Sequence, residues 1–305
     1  MDSLAQIHRA ECAKLPIADV LNVGGLHERV TRAFWIGLAL SAAVSCAGTT
    51  GESLHDFPAA AAGPSEARAG TALAFTNDHG WHVVLTQATL HVGAIYLDQS
   101  RPVAGAGVTA CYLPGVYVAE ATSGLDVDLL SSELQRFGGL AHGSTLQAIV
   151  GQVWLTGADV NSPVDATKIL TIAGTADQGA VTLPFHGTIT ISSNRASAGT
   201  TAAGAAPICK QRIVSPIPTA VRVQDHGGLL LRVDPRALFV NVDFGTLAPA
   251  TTGCGSAASC LAFSDDPGSS SYGQADRNLY LNLHSTADPA TTTLALYTFI
   301  WSNDL

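Results

Sequence analysis

The chain has 305 residues, of which 47% are hydrophobic and 13% are charged, and its formal net charge at pH 7 is −9. This composition provides enough apolar surface for a buried core, which excludes disorder throughout, and the length fits one large domain or two small ones. All of the excess negative charge lies between Cys46 and Leu305, and since a surface this acidic repels phosphate groups, nucleic-acid binding is excluded.

A basic segment followed by an apolar one predicts a signal peptide over residues 29–45. Arg29 and Arg32 supply the positive charges, and the apolar residues 33–45 follow them. This run is too short to span a bilayer, which takes about 20 helical residues, but it has the length of a secretory leader. Residues 1–28 fit neither a leader nor a domain, so we interpret them as an upstream segment that results from a misassigned start codon.

The leader ends in Ala43, Val44, Ser45 and Cys46, which resembles the lipobox of bacterial lipoproteins, with alanine where leucine is usual. In that motif the cysteine is lipidated and becomes the first mature residue. The resemblance implies that Cys46 anchors the protein to a membrane as a periplasmic or outer-surface lipoprotein of the cell envelope. The alternatives are an ordinary leader that is cleaved nearby and a buried helix.

The chain after the leader divides into a tether and a β-rich region. Residues 46–70 are rich in small residues without an apolar period, which predicts a lipidated cysteine followed by a flexible tether. Short runs of β-branched and aromatic residues follow, which predicts a single domain over residues 71–305. The predicted strands span residues 81–97, 108–119, 145–155, 169–175, 180–192, 221–224, 229–233, 238–244, 278–284 and 292–301.

These elements predict an all-β fold, an antiparallel β-sandwich with one short helix and long loops. From Phe185 to Ser192 the pattern alternates with a period of two, which indicates strands with one exposed face and therefore antiparallel pairing. The helix is predicted over residues 129–137, where a serine precedes an apolar stretch and two glycines follow it. The Ala/Gly-rich residues 196–206 are expected to form a long loop.

Four cysteines remain once the upstream Cys12 and the lipidated Cys46 are set aside, and they are Cys111, Cys209, Cys254 and Cys260. An even number in an exported chain indicates disulfides. Cys254 and Cys260 enclose a short loop of small residues, so they are the expected local pair. The remaining two would form a long-range bridge worth roughly 4 kcal/mol in the chain-entropy model. Metal-bound thiolates are the competing interpretation, although C-x-x-C spacing is missing.

The sequence has none of several common catalytic motifs, namely G-x-S-x-G, H-E-x-x-H and G-x-x-x-x-G-K-[ST]. Residues 105–110 match a relaxed dinucleotide-binding pattern, but a predicted strand follows them where a helix is required. We therefore interpret them as a turn, and we expect the protein not to be an enzyme.

Histidines supply the candidate metal ligands. His79 and His82 flank Trp81 where a turn enters a predicted strand. Neutral imidazole is a good ligand for copper or zinc, and a turn would let both rings converge. In a regular strand His91 lies on the same face as Trp81 and not on that of His82. It joins this group only if a bulge shifts the alternation by one residue. The alternative is that these histidines are exposed side chains without a ligand.

Two sets of segments are similar to known exported proteins. Residues 125–130 and 143–150 resemble a strand, turn and strand of exported β-sandwich lipoproteins of poorly known function. Residues 230–235, 242–247 and 253–263 resemble the C-terminal part of the periplasmic copper-associated proteins linked to methanobactin, the MbnP-like family.

In that family and its relatives, copper is held by histidines beside an oxidatively modified tryptophan. The resemblance therefore implies copper as the metal, with Trp81 and His79 or His82 at the site. The expected function is a lipid-anchored envelope binding protein without catalysis that binds copper. The alternative is a structural module that contacts another envelope protein and has no metal site.

Overall fold

A computed structural model describes residues 54–101, 116–155, 167–190 and 213–305, the last range without 258, 291 and 293. Several sequence predictions lie outside these residues: the upstream segment, the signal peptide, the anchor at Cys46, the Cys111–Cys209 bridge, the turn at 105–110 and the loop at 196–206. Within the described ranges the chain forms 15 strands and one α-helix.

Two sheets contain the described strands and pack face to face. Numbered in chain order, the strands are β1 (Leu54–Ala62), β2 (Leu73–Thr76), β3 (His82–Val92), β4 (Ala94–Asp98), β5 (Tyr117–Ala121), β6 (Leu125–Asp128), β7 (Gln135–Ser144), β8 (Val150–Trp154), β9 (Lys168–Gln178), β10 (Val181–Thr190), β11 (Ile213–Pro218), β12 (Gly228–Val233), β13 (Ala248–Ala250), β14 (Cys260–Phe263) and β15 (Tyr297–Ser302). The eight-stranded sheet has the order β11-β8-β4-β5-β7-β1-β12-β15. The seven-stranded sheet has the order β13-β14-β10-β9-β3-β2, with β6 also paired to β3.

The all-β sandwich-like architecture is the one that the sequence predicted, but the pairing is mixed. Most neighbouring strands are antiparallel, whereas β1 pairs with β12 and β10 pairs with β14 in parallel. An alternating pattern shows which face of a strand is buried and does not show the direction of its neighbour. The expectation of wholly antiparallel sheets was therefore wrong for these two pairs.

The core lies between the sheets and is aromatic at one end. Phe185, Phe239, Phe244 and Phe263 contact one another there, with ring centroids 4.9–6.4 Å apart. Trp81 adds its ring to the same group, 5.8 Å from Phe244. Rings at these distances add to the stabilisation that comes from burying apolar area, so this cluster fixes the elements around it.

Strand β1 lies within the segment for which the sequence predicted a tether. It occupies an interior position of the eight-stranded sheet, between β7 and β12. Phe57, Ala59 and Ala61 face the main core, while Ala60 and Ala62 contact Leu230 on the other face. Residues 54–62 are therefore a buried strand and not a tether. The small alanine side chains are buried on both faces, although they carry a weak β-strand signal.

The predicted strand over residues 81–97 is two strands in different sheets. Strand β3 belongs to the seven-stranded sheet and β4 to the eight-stranded one, so the chain crosses between them at Gly93. The N–H of Gly93 donates to the carbonyl oxygen of Trp154 at 2.8 Å. Gly93 alone therefore connects β3 in one sheet to β4 in the other.

The helix predicted over residues 129–137 is absent. A turn joins β6 to β7 there, and side chains hold it in place: the carboxylate of Asp128 accepts from the N–H of Leu130, and the hydroxyl of Ser131 accepts from the N–H of Glu133. The side-chain amide of Gln135 accepts from the N–H of Asp128 and donates to its carbonyl oxygen. Such local side-chain bonds compete with helical ones, which explains the wrong prediction.

The α-helix of the described chain, α1, spans Gln274–Leu283, where the sequence predicted a strand over residues 278–284. Ala275, Leu279 and Leu283 are buried at a spacing of four, and the carboxylate of Asp276 accepts from the N–H of Gly273 at its start. The strand predicted over residues 238–244 is also wrong, since short 3-10 helices span Pro235–Phe239 and Phe244–Thr246. None of the helices in the described ranges is long and apolar enough to cross a membrane.

Candidate metal-binding site

The structure contains the Cys254–Cys260 disulfide that the sequence predicted, with Cα atoms 5.4 Å apart. It closes the loop between β13 and β14, which pair as a hairpin with Ala250 opposite Cys260. Cys260 is buried at the start of β14, whereas Cys254 is half-buried in the loop. The pairing of a short hairpin therefore brings these two sulfur atoms together.

His186 reaches the same loop from β10. Parallel pairing with β14 sets His186 opposite Ala262, two residues beyond Cys260. Its Nε2 lies 3.1 Å from the carbonyl oxygen of Thr252, to which it donates when that nitrogen is protonated. The loop thus contacts the imidazole ring at Thr252.

Gly253 allows this close approach. A Cβ at this position would lie 2.8 Å from both Cε1 and Nε2 of His186, and the backbone has a φ of +78°. Any other residue would face both the steric contact and the cost of the left-handed conformation. A glycine is therefore required at this position by two separate features of the site.

The ligand atoms of His186, Cys254 and Cys260 all lie within 4.8 Å of one another. In the disulfide form the two sulfurs cannot act as thiolate ligands. In the reduced form they would offer two thiolates beside one imidazole, a set of soft donors that favours Cu(I). The residues present therefore fit copper when the disulfide is reduced and do not fit it when the disulfide is closed.

Sequence reasoning did not select His186. Its partners lie 66 or more positions further along the chain, and only the parallel pairing of β10 with β14 joins them. The sequence did indicate a metal site here, through the competing interpretation of Cys254 and Cys260 as metal-bound thiolates. That interpretation needed a third ligand, which the sequence alone did not supply.

The turn before β3 is anchored by its own polar side chains. The amide oxygen of Asn77 accepts from the N–H groups of His79 and Trp81, while its amide nitrogen donates to the carbonyl oxygens of Phe239 and Val242. Such a turn presents its side chains in a fixed arrangement. It does not, however, place the predicted ligands on one face.

Trp81 and His82 lie on opposite faces of the sheet. The ring of Trp81 is buried in the core, and its Nε1 donates to a carboxylate oxygen of Asp243 at 3.0 Å. His82 is exposed, and its Nδ1 is 3.6 Å from a carboxylate oxygen of Asp177. The backbone of His79 accepts from Gln178, and its side chain is exposed. Copper binding at His79 and His82 stays a prediction.

His91 lies at the other end of β3 from His82. They are nine positions apart, which corresponds to about 30 Å at the usual rise of a strand. A bulge does occur between Leu85 and Gln87, yet it leaves His91 paired with Asp126, with Nδ1 2.7 Å from a carboxylate oxygen. The distance along the strand prevents His91 from sharing a metal with His82.

No protein-family model matches the chain, and no curated protein matches it. Among solved structures it is similar to MbnP from Methylosinus trichosporium, with 12% sequence identity over 81% of this chain and 98% of that chain. The TM-score of 0.33 describes a distant structural resemblance. The resemblance inferred from sequence is therefore found in the structure only at this distant level, and family membership is not shown.

Proposed function

We propose that this chain is a lipid-anchored binding protein of the cell envelope that holds copper and does not catalyse a reaction. The observation that carries the proposal is the group formed by His186, Cys254 and Cys260, whose ligand atoms lie within 4.8 Å of one another. Its disulfide supports residence outside the cytoplasm, where such bonds persist unless they are reduced, and copper binding there requires that a dithiol donor first reduce this bond. The predicted signal peptide and the lipobox resemblance support the same location.

Access to the site is controlled by the Cys254–Cys260 bond. A dithiol reductant transfers two electrons and two protons to the bond, which gives two thiols, while the reductant becomes a disulfide. The thiols lose their protons when they bind Cu(I), as thiolates are the binding form. His186 supplies the third donor through whichever ring nitrogen is unprotonated.

The test is a Cu(I) titration of the purified full-length protein, before and after reduction, together with elemental analysis. We expect one tightly bound Cu(I) per chain after reduction and none at this site before it. The loss of tight binding is expected in His186→Ala and in the double variant Cys254→Ser with Cys260→Ser. The matched control is Cys111→Ser with Cys209→Ser, which should keep the tight site.

Two results would overturn the proposal. If the reduced protein binds no copper, the interpretation as an interaction module without a metal site is supported instead. If His79→Ala with His82→Ala removes the binding and His186→Ala does not, the metal lies at the hairpin before β3.

A further inference from the structure

A row of polar and aromatic side chains crosses the outer face of the eight-stranded sheet. Direct cross-strand pairing connects its members from β8 through β4, β5 and β7 to β1. The members are Gln152, Tyr96, Glu120, His142 and Asp56. Five strands at about 4.8 Å spacing give this row a length of about 19 Å. We call it the outer row.

Three aromatic rings meet at one end of the outer row. The ring of Tyr96 lies 4.9 Å from that of Trp154 and 5.2 Å from that of Tyr117, measured between centroids. Tyr117 is 40% exposed, and the other two are half-buried. The rings therefore support one another and still present apolar surface to solvent.

Buried polar groups hold these rings in place. The amide oxygen of Gln152 accepts from Nε1 of Trp154 at 3.0 Å, and its amide nitrogen donates to a carboxylate oxygen of Asp98 at 2.7 Å. Tyr117 also shares a side-chain hydrogen bond with Gln152. Both Asp98 and Gln152 are completely buried. Burial raises the pKa of Asp98 to about 6, and those of Tyr96 and Tyr117 to about 12.

One acceptor in this network has no partner. The Oδ1 atom of Asp98 is buried and makes no hydrogen bond within the described residues. A buried polar atom without a partner is costly, and such atoms are rare in native proteins, where a functional role is one explanation for them. The aromatic end of the row therefore lies beside a buried carboxylate oxygen that has no partner within the described residues.

The charges of the outer row restrict its ligand. Asp56 and Glu120 are acidic, and the row contains no lysine or arginine. His142 is its basic member, and its Nδ1 is already 2.6 Å from a carboxylate oxygen of Asp56. Phosphates, nucleic acids and acidic polymers are therefore disfavoured by charge.

We propose that the exposed side chains of the outer row, with Trp154 and Tyr117, are a binding site for a neutral oligosaccharide, and that Asp98 and Gln152 position the rings from beneath. A sugar ring has an apolar C–H face that packs on aromatic rings, and its hydroxyls donate to carboxylate and amide oxygens. Small-molecule sites combine hydrophobic and aromatic side chains with a few polar groups that fix the orientation of the ligand, and the outer row offers both kinds of group. The length of the row suits an extended chain of several sugar rings. This site is separate from the metal site and does not depend on it.

The test is calorimetric titration of the full-length protein with neutral hexasaccharides, namely the β-1,4-linked glucose, mannose, xylose and N-acetylglucosamine hexamers and the α-1,4- and β-1,3-linked glucose hexamers. We expect at least one to bind, and we expect Tyr117→Ala to weaken that binding by about tenfold or more. Since Tyr117 lies at the surface of the sheet with 40% of its area exposed, this variant should stay folded, as circular dichroism can verify. Glu120→Gln should weaken binding less, because an amide oxygen still accepts. Tyr272→Ala is the matched control and should bind like the wild type.

The outcomes decide between ligand classes. Failure of all six hexamers to bind at millimolar concentration overturns the proposal. The proposal is also overturned if no sugar binds while tetramethylammonium does, and if Tyr117→Ala removes that binding. The rings would then bind an organic cation. Equal binding of an oligogalacturonate would contradict the charge argument.

Discussion

The indole Nε1 of Trp81 donates to Oδ1 of Asp243 across 3.0 Å, and the same oxygen accepts from the N–H of Gly245. One carboxylate thus joins the turn before β3 to the 3-10 helix at Phe244–Thr246. The ring of Trp81 is buried against Phe244, so its N–H depends mainly on Asp243 for a partner. Asp243 is therefore central to the stability of this end of the core.

Removal of this acceptor should destabilise the fold. We expect Asp243→Ala to lower the free energy of unfolding by about 1–3 kcal/mol, because it leaves a buried donor without a partner. Asp243→Asn keeps an acceptor oxygen and should cost less. Urea denaturation of the two variants measures the difference, and equal losses would show that the hydrogen bond to Trp81 contributes nothing.

Gly253→Ala should damage the metal site, while Gly255→Ala should not. Both glycines have positive φ, so both substitutions carry a backbone cost of about 1–2 kcal/mol. A Cβ at Gly253 would press on His186, whereas a Cβ at Gly255 meets nothing within 4 Å. Thermal unfolding should show a larger loss for Gly253→Ala. Cu(I) affinity of the reduced protein should fall only in that variant, and a fall of the same size in both would contradict this account.

The stability of the fold should depend on pH through Asp98. Burial raises its pKa from 3.8 to about 6, so the folded state favours the protonated acid. Below pH 4 both states carry the proton and the effect vanishes. As the pH rises from about 4 to about 6, the unfolded state ionises first and stability falls, by up to about 3 kcal/mol for a shift of this size. Above pH 6 the loss is constant.

Asp98→Asn isolates this effect, because an amide oxygen can still accept from Gln152 and carries no charge. We expect the variant to gain stability relative to the wild type between pH 4 and pH 6, as measured by urea denaturation across this range. A difference that does not change with pH would show that Asp98 titrates normally.

The lipid anchor can be tested through Cys46. We expect the native protein to enter the detergent phase on phase separation, and Cys46→Ala to stay in the aqueous phase, because an acyl chain contributes about 0.8 kcal/mol per buried CH₂ group. The double variant Cys111→Ser with Cys209→Ser is the matched control and should partition like the wild type. Aqueous partitioning of the native protein would favour an ordinary cleaved leader.

The sequence predicts the β-rich architecture well where side chains alternate clearly. Strand β10 is an example, because Phe185, Gly187 and Ile189 are buried and the residues between them are not. Strand β1 was missed because alanine has a weak preference for strands and adds little apolar surface. The turn after Asp128 was taken for a helix because its side-chain hydrogen bonds are not visible in a hydrophobic pattern.

The residues of the candidate site could be predicted only where they lie close together in the sequence. The Cys254–Cys260 pair could be predicted because a loop of five residues brings the cysteines together. The contribution of His186 could not, since it depends on a parallel pairing between strands more than 70 positions apart. The outer row was not predictable either, because its five residues come from five strands whose order in the sheet differs from their order in the chain.

The position of β1 also governs when the eight-stranded sheet can be completed. This strand is the first of the described elements, yet it pairs with Gln135–Ser144 on one side and with Gly228–Val233 on the other. Because the chain is synthesised from its N-terminus, β1 lacks its second neighbour until some 170 further residues have followed. The eight-stranded sheet therefore closes around β1 late, and slowly, as pairing between distant segments requires.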